Sequence, residues 1–200
     1  MRKNRHKVFG AKYHVCARTN RGEIVFDDPF NQNMFEHVVR RALKKYSFIY
    51  NFEEIMGNHV HMIIEPLDGE DISRIMQWIL ARFAELYNRT YGIKGHFWYD
   101  RFKSKPILTV RYLMNCIKYI IDNPVRAGIV DHPMKYEGST ALKYYVRGDP
   151  DDRFTPFNKK IMNMIQAYME DYDPTKRLTD TQYGFRPQKP GRKKKTRKNK

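Results

Sequence analysis

His59 and His61 are separated by one residue. On an extended strand, positions i and i+2 share a face, so the two imidazoles stand side by side while Val60, Met62 and Ile64 point the other way. Two neighbouring ring nitrogens can share a metal ion, although the same triplet is compatible with one buried and one surface histidine and no ligand between them. A third donor separates these readings. The candidate is Asn123, whose carboxamide oxygen suits a hard divalent cation better than zinc. Tyr119 lies four residues before Asn123, so on a helix the phenol and the carboxamide project from nearly the same side, one turn apart. A phenol with a reference pKa of about 10 is a poor nucleophile at neutral pH, but a divalent ion that polarises a phosphate oxygen reduces the demand on it. Such a group of residues could cleave a phosphodiester covalently. Spacing leaves a core role for Tyr119 open, since the chain has 14 tyrosines and Tyr112 stands seven residues earlier in the same segment.

The elements that must carry these residues are legible as changes of hydrophobic period. Lys12 to Thr19 predicts a strand, and Phe26-Asp27-Asp28-Pro29 supplies turn and N-cap chemistry for a helix with Met34, Phe35, Val38, Val39, Ala42 and Tyr46 in phase. The runs Phe48 to Ile55 and Val60 to Glu65, separated by Gly57-Asn58, predict a hairpin. Asp71 can cap a helix with the stripe Ile72, Ile75, Met76, Ile79, Phe83, Leu86 and Tyr87, which stops at Tyr91-Gly92. A fourth strand is expected within His96 to Leu108. The order β-α-β-β-α-β implies an α+β fold, a ferredoxin-like or RRM-like split β-α-β antiparallel sheet with two helices on one face. A further helix, about Val110 to Asp122, carries Tyr119 over part of the other face. It is expected to end before Asn123-Pro124, because proline disfavours the α conformation in the residue ahead of it. After turn signals a last helix is expected from Phe157 to Tyr172, with Ile161, Met164, Ile165 and Tyr168 in phase.

Composition limits the partners. The 200 residues fit one domain plus an appendage, and 38 Lys and Arg against 22 Asp and Glu give a formal charge of +16, which points to a polyanion. Nine of the basic residues lie between Arg186 and Lys200 with no acid among them. Such a segment has little apolar surface to repay ordering and is suited to sequence-independent phosphate contact. The expected division is therefore a catalytic domain over 1–147, an extension with a helix over 148–185 and a disordered basic tail over 186–200. No apolar run approaches the ~18 residues of a membrane span, and the basic start, Met1 to Lys7, meets no apolar segment of a secretory signal. Cys16 and Cys116 form neither a CxxC pair nor a disulfide lattice, which fits a reducing cytoplasm.

Three blocks together carry a resemblance: Met56-Gly57-Asn58-His59-Val60-His61, then Gly95-His96-Phe97-Trp98-Tyr99-Asp100-Arg101-Phe102-Lys103-Ser104, then Tyr119-Ile120-Ile121-Asp122-Asn123-Pro124-Val125-Arg126-Ala127-Gly128-Ile129-Val130. In this order, within roughly the first 145 residues, they resemble the signatures of REP-associated tyrosine transposases, a group of the HUH single-tyrosine transposases. The resemblance implies that His59 and His61 are the HUH pair, Tyr119 the nucleophile and Asn123 the third metal ligand. It also implies magnesium or manganese as the ion, and single-stranded or hairpin DNA as the partner. The tyrosine of that family attacks a backbone phosphate, becomes linked to its 5′ side and frees a 3′ hydroxyl without consuming a nucleotide triphosphate. The commonest family form has proline where this chain has Gly57, which should loosen the turn leading to the metal strand. The segment after about Gly148 has no counterpart in the resemblance.

Basic and aromatic residues near these blocks bear on DNA recognition. Arg101, Lys103 and Lys105 alternate on the expected fourth strand and could form a row along a phosphate backbone, or simply a solvated edge. Trp98 and Phe102 suit either base stacking or a core role. Arg126 follows the Tyr119 helix and either anchors a phosphate or fixes the turn. A non-catalytic RNA-binding module on the same frame is the main alternative, but the chain lacks a recognisable RNP-type run, and the His59, His61, Tyr119 and Asn123 set would be surplus to it. A hydrolase in which the ion activates water is a second alternative. Both a monomer and a homodimer are compatible with the sequence.

Overall fold

Strand alternation divides the molecule into two layers. In the computed structural model, which describes residues 7–139 and 141–177, strand β1 (Lys12–Arg18) buries Tyr13, Val15 and Ala17 toward one side and turns His14, Cys16 and Arg18 to the other. Strands β2 (Phe48–Met56) and β3 (His59–Pro66) form the expected hairpin, and β4 (Lys103–Ile107) completes an antiparallel sheet in the order β2-β3-β1-β4. The fourth strand is shorter than expected, because the 96–102 segment runs as a loop, joined to the end of β1 by Tyr99 N–H donating to Arg18 O (2.9 Å) and just beyond it by a Thr19–Trp98 bridge. The basic tail expected over 186–200 lies outside the described residues, as does 178–185 of the extension.

Helices α1 (Pro29–Lys45) and α2 (Ile72–Tyr91) cover the first face. Asp28 and Asp71 cap them, each accepting from the second helical amide, and Gly92 ends α2 in the left-handed conformation at φ 64°. Their stripes, including Phe35, Val38, Ile75, Met76, Ile79 and Phe83, bury against Val15, Val60, Met62 and Ile64. The second face is covered by α3 (Val110–Arg126), whose Leu113, Met114, Ile117, Ile120 and Ile121 pack with Phe52, Ile63 and Ile107 in a separate core. This is the α+β arrangement expected from the element order.

Helix α3 does not stop at Asp122. It continues through Pro124 to Arg126, although Pro124 can donate no hydrogen bond. Pro124 is buried, and the amides beyond it are satisfied: Ala127 N–H donates to Asn123 O and Ile129 N–H to Pro124 O, both at 2.9 Å. Tertiary packing therefore overrides the local preference.

The segment after Gly148 belongs to the same cores. Helix α4 (Lys159–Glu170), shorter than expected, packs on α3 through Ile161, Ile165 and Met169, while Met164 is turned outward. Ahead of it the chain closes the free edge of β2: Thr155 N–H donates to Tyr50 O (2.9 Å), and Asn51 Nδ2 donates to Thr155 O (2.7 Å). Phe154 stacks on Tyr50 with ring centres 5.2 Å apart. Arg153 is only 5% exposed and pairs with the buried Glu53 carboxylate (2.8 Å) as well as with Asp151 (2.6 Å). Removing the guanidinium strands Glu53 in a low-dielectric site, so Arg153→Ala should lower the unfolding free energy by about 3–5 kcal/mol in urea titrations.

Candidate active site

The parity of β3 places His59 and His61 on the sheet face covered by α3, and both are buried, at 9% and 3% exposure. The reading with one buried and one surface histidine therefore does not hold. Their ring centres are 4.9 Å apart. His59 Nδ1 lies 2.7 Å from Asn58 Oδ1; that oxygen can only accept, so Nδ1 carries the proton and Nε2 keeps its lone pair. His61 Nδ1 lies 2.9 Å from His14 Nε2, and these two rings are stacked with centres 5.1 Å apart. Sequence reasoning passed over Asn58 and His14. His14 was recognisable only by its parity with Cys16 and Arg18 on β1, and its partner only from the β1-β3 register, in which Cys16 opposes His61.

The turn before His59 is held tightly rather than loosened by Gly57. Gly57 O accepts from Val25 N–H and Phe26 N–H (2.7 and 2.9 Å), and Asn58 O accepts from Thr19 N–H (3.0 Å). A Cβ on Gly57 would come within 2.5 Å of Asp27 Oδ1 and 3.2 Å of Ile24 Cγ2, so glycine here permits the 24–27 segment to close over the turn.

From the opposite side α3 brings Tyr119, with its ring centre 5.8 Å from His61 and 6.2 Å from His14. Arg126, two turns further along α3, sets its guanidinium carbon 5.4 Å from the centre of the Tyr119 ring. Asn123 follows Tyr119 by one turn on the same helix, and its Nδ2 is buried without a hydrogen-bond partner. A carboxamide in this state has unused bonding capacity, and a half-turn of the group presents oxygen in place of nitrogen. Among the described residues no three His, Cys, Asp or Glu side chains gather at metal-binding spacing. A cation at the two imidazoles would therefore need a ligand of another type, and the Asn123 carboxamide, one turn along α3 from Tyr119, is of a kind that such an ion accepts. The donor set, two neutral imidazoles and one amide oxygen, fits a divalent ion.

Burial and neighbouring charges keep these rings neutral. Burial holds His14 at about 3 and His59 at about 4, assisted by Lys105 and Arg18 respectively. Burial, then the neighbouring histidines, holds His61 well below its usual range. Glu54, opposite His61 on β2, is raised well above the carboxylate range by burial and by Asp122. Behind the tyrosine, the buried Asp122 accepts from Tyr168 Oη of α4 at 2.7 Å.

The basic row is differently composed from the expected one. Lys103 and Lys105 oppose Cys16 and His14 on β1, so they share the face of the imidazoles and are exposed, with Lys105 Nζ 4.8 Å from the Tyr112 ring. Arg101 precedes the strand and is not in the row. Arg18, exposed opposite His59, takes a place in it that sequence reasoning missed. Phe102 is a core residue at 6% exposure, and the half-buried Trp98 packs on the core, its Nε1 donating to Leu80 O at 2.9 Å and its ring centre 4.7 Å from that of Phe97.

The four-stranded antiparallel sheet with its covering helices matches the fold of a solved transposase. A solved REP-associated tyrosine transposase bound to a REP hairpin aligns with a TM-score of 0.64 and 21% identity, over 78% of this chain and 91% of that one. The sequence model of the IS200-like transposases matches residues 7–123, more than half of the chain, and the protein belongs to that family. A protein of Deinococcus radiodurans R1, described as a candidate transposase, aligns at a TM-score of 0.44 with 16% identity, over 62% of this chain and 97% of that one. No curated protein matches the chain in sequence. No helix among the described residues is long and apolar enough to cross a membrane.

The neutral imidazoles set a pH dependence for the metal-free protein. Their native pKa values lie below the unfolded value near 6.5, so below that pH the unfolded chain binds protons that the native state refuses. Stability contributed by these groups is complete above pH 6.5 and declines as pH falls through about 4 toward about 3. Urea unfolding between pH 7 and 4 with a chelator present should show this decline, and His61→Phe should flatten the slope by about one proton.

Proposed function

We propose that this transposase nicks and rejoins single-stranded DNA through a covalent bond to Tyr119. The observation that carries the reading is the position of the Tyr119 ring, 5.8 Å from His61 and directly across the site from a pair of neutral imidazoles. The Tyr119 oxygen attacks a backbone phosphorus and gives up its proton to solvent. The bond from phosphorus to the 3′ oxygen breaks, that oxygen leaves as a hydroxyl, and the 5′ phosphate stays on the tyrosine. One ester replaces another, so a second 3′ hydroxyl can reverse the attack and join new ends without a nucleotide triphosphate.

His59 Nε2, His61 Nε2 and the Asn123 side-chain oxygen would hold a magnesium or manganese ion, which polarises the phosphate and spreads its charge. Arg126 lies over the nucleophile's ring, where its guanidinium favours an arriving phosphate, and Lys103, Lys105 and Arg18 extend positive charge from the site along the sheet. The substrate is single-stranded DNA beside a hairpin-forming repeat. Support for this comes from the fold shared with a protein bound to a REP hairpin and from the basic side chains on the imidazole face.

Single-stranded oligonucleotides carrying the repeat, incubated with Mg2+ or Mn2+, should give a covalent protein-DNA adduct with the parent protein and none with Tyr119→Phe. An adduct of equal yield from that variant would remove Tyr119 from its role, and cleavage that leaves a free 5′ phosphate with no adduct would indicate attack by water. The lysine row is tested separately. In salt titrations of binding, Lys103→Ala combined with Lys105→Ala should reduce the slope of log K against log salt by about 0.7 per lost phosphate contact.

A further inference from the structure

We infer that His14 is a positioning residue for the proposed metal centre: through the 2.9 Å contact between its Nε2 and His61 Nδ1 it fixes His61 in the tautomer whose Nε2 is bare. The inference rests on the ligand reading of His59, His61 and Asn123 given above and concerns a residue outside that set.

Two facing ring nitrogens at this distance share one proton. If His14 Nε2 carries it, His61 Nδ1 is the acceptor, and the neutral His61 ring must keep its own proton on Nε2, which blocks that nitrogen as a ligand. If His61 Nδ1 carries it, His14 accepts and His61 Nε2 is free to bind. Both rings are buried, at 4% and 3% exposure, and stack at 25°, so the contact is part of the packed face. The choice between the two arrangements is therefore made by the protein.

The other imidazole is handled in the same way by a different residue. His59 Nδ1 faces Asn58 Oδ1 at 2.7 Å, an acceptor with no proton to give. Each histidine of the pair thus has its Nδ1 engaged by a neighbouring side chain, Asn58 from the turn for one and His14 from β1 for the other. This is the arrangement that a ligating histidine requires, with the nitrogen away from the ion donating to a fixed partner. His14 also stands 6.2 Å from the Tyr119 ring, so any change in its position is felt on both sides of the site.

The test uses the full chain and two readouts. In the metal-free protein at neutral pH, long-range 1H–15N correlation of the imidazoles should show His61 protonated on Nδ1 and bare on Nε2. Mn2+ affinity, followed by the electron paramagnetic resonance of the free ion, should fall about 10–100-fold in His14→Phe, which keeps a ring but has no acceptor. His14→Gln, which restores an acceptor oxygen, should recover most of that loss, a rescue that a purely structural role would not give. His61 protonated on Nε2, or unchanged Mn2+ affinity in His14→Phe, overturns the role of His14 alone. A wild-type protein whose Mn2+ binding is absent, or is unaffected by His59→Ala, overturns the metal centre and this role with it.

Discussion

A buried imidazole resists taking up a proton, because a charged ring inside the protein loses its hydration. The site depends on this constraint. His14, His59 and His61 are placed between a sheet and a helix, where charging them is penalised, and the cost of three buried polar rings is limited by contacts to Asn58 and between the rings themselves. Burial of the histidines in turn dictates that the tyrosine arrive on a helix laid over that face, since a loop could not exclude water from it. Helix α3 does both, sealing the face with Leu113, Ile117 and Ile120 and offering Tyr119 from its partly exposed flank.

A helix with this duty needs its register held from behind. Its rear is packed by Ile161, Ile165 and Met169 of α4, and the buried Asp122 accepts from Tyr168. Pro124 stays helical with its ring buried, and the carbonyls of Asn123 and Pro124 find donors in Ala127 and Ile129. Asn123 and Arg126 consequently remain on one continuous helix with Tyr119, which keeps their spacing from the phenol fixed.

Much of this was legible in the sequence, because the chemistry follows strand and helix parity. The pairing of His59 with His61, the hairpin, the caps at Asp28, Asp71 and Gly92, and the stripes of α1 and α2 are all local signals. What escaped was non-local. The role of His14 requires knowing that β1 lies beside β3 and in which register, and Arg18 enters the basic row for the same reason. The stop expected at Asp122 failed because the packing of α4 outweighed a local rule. Gly57 was read as slack since the sequence does not reveal that Asp27 and Ile24 fold back over it. Arg101 left the row because the loop before β4 is longer than alternation alone suggests.

The two edges of the sheet are treated in opposite ways, and the difference follows from what each has to meet. Along β2 the unpaired backbone is taken up by the later chain: Ile55 N–H donates to Gly138 O, Tyr136 and Tyr145 donate to Ile55 O and Asn51 O, and Thr155 pairs with Tyr50. Arg153 then neutralises Glu53 beneath this cover. An edge so occupied cannot add a strand or admit a polyanion. The other edge, β4, is short and presents Lys103 and Lys105 beside the imidazole face. Lysines on an edge strand discourage pairing with another chain, and the same charges attract phosphate. A single choice of residue thus discourages strand pairing at this edge and sets positive charge beside the imidazole face.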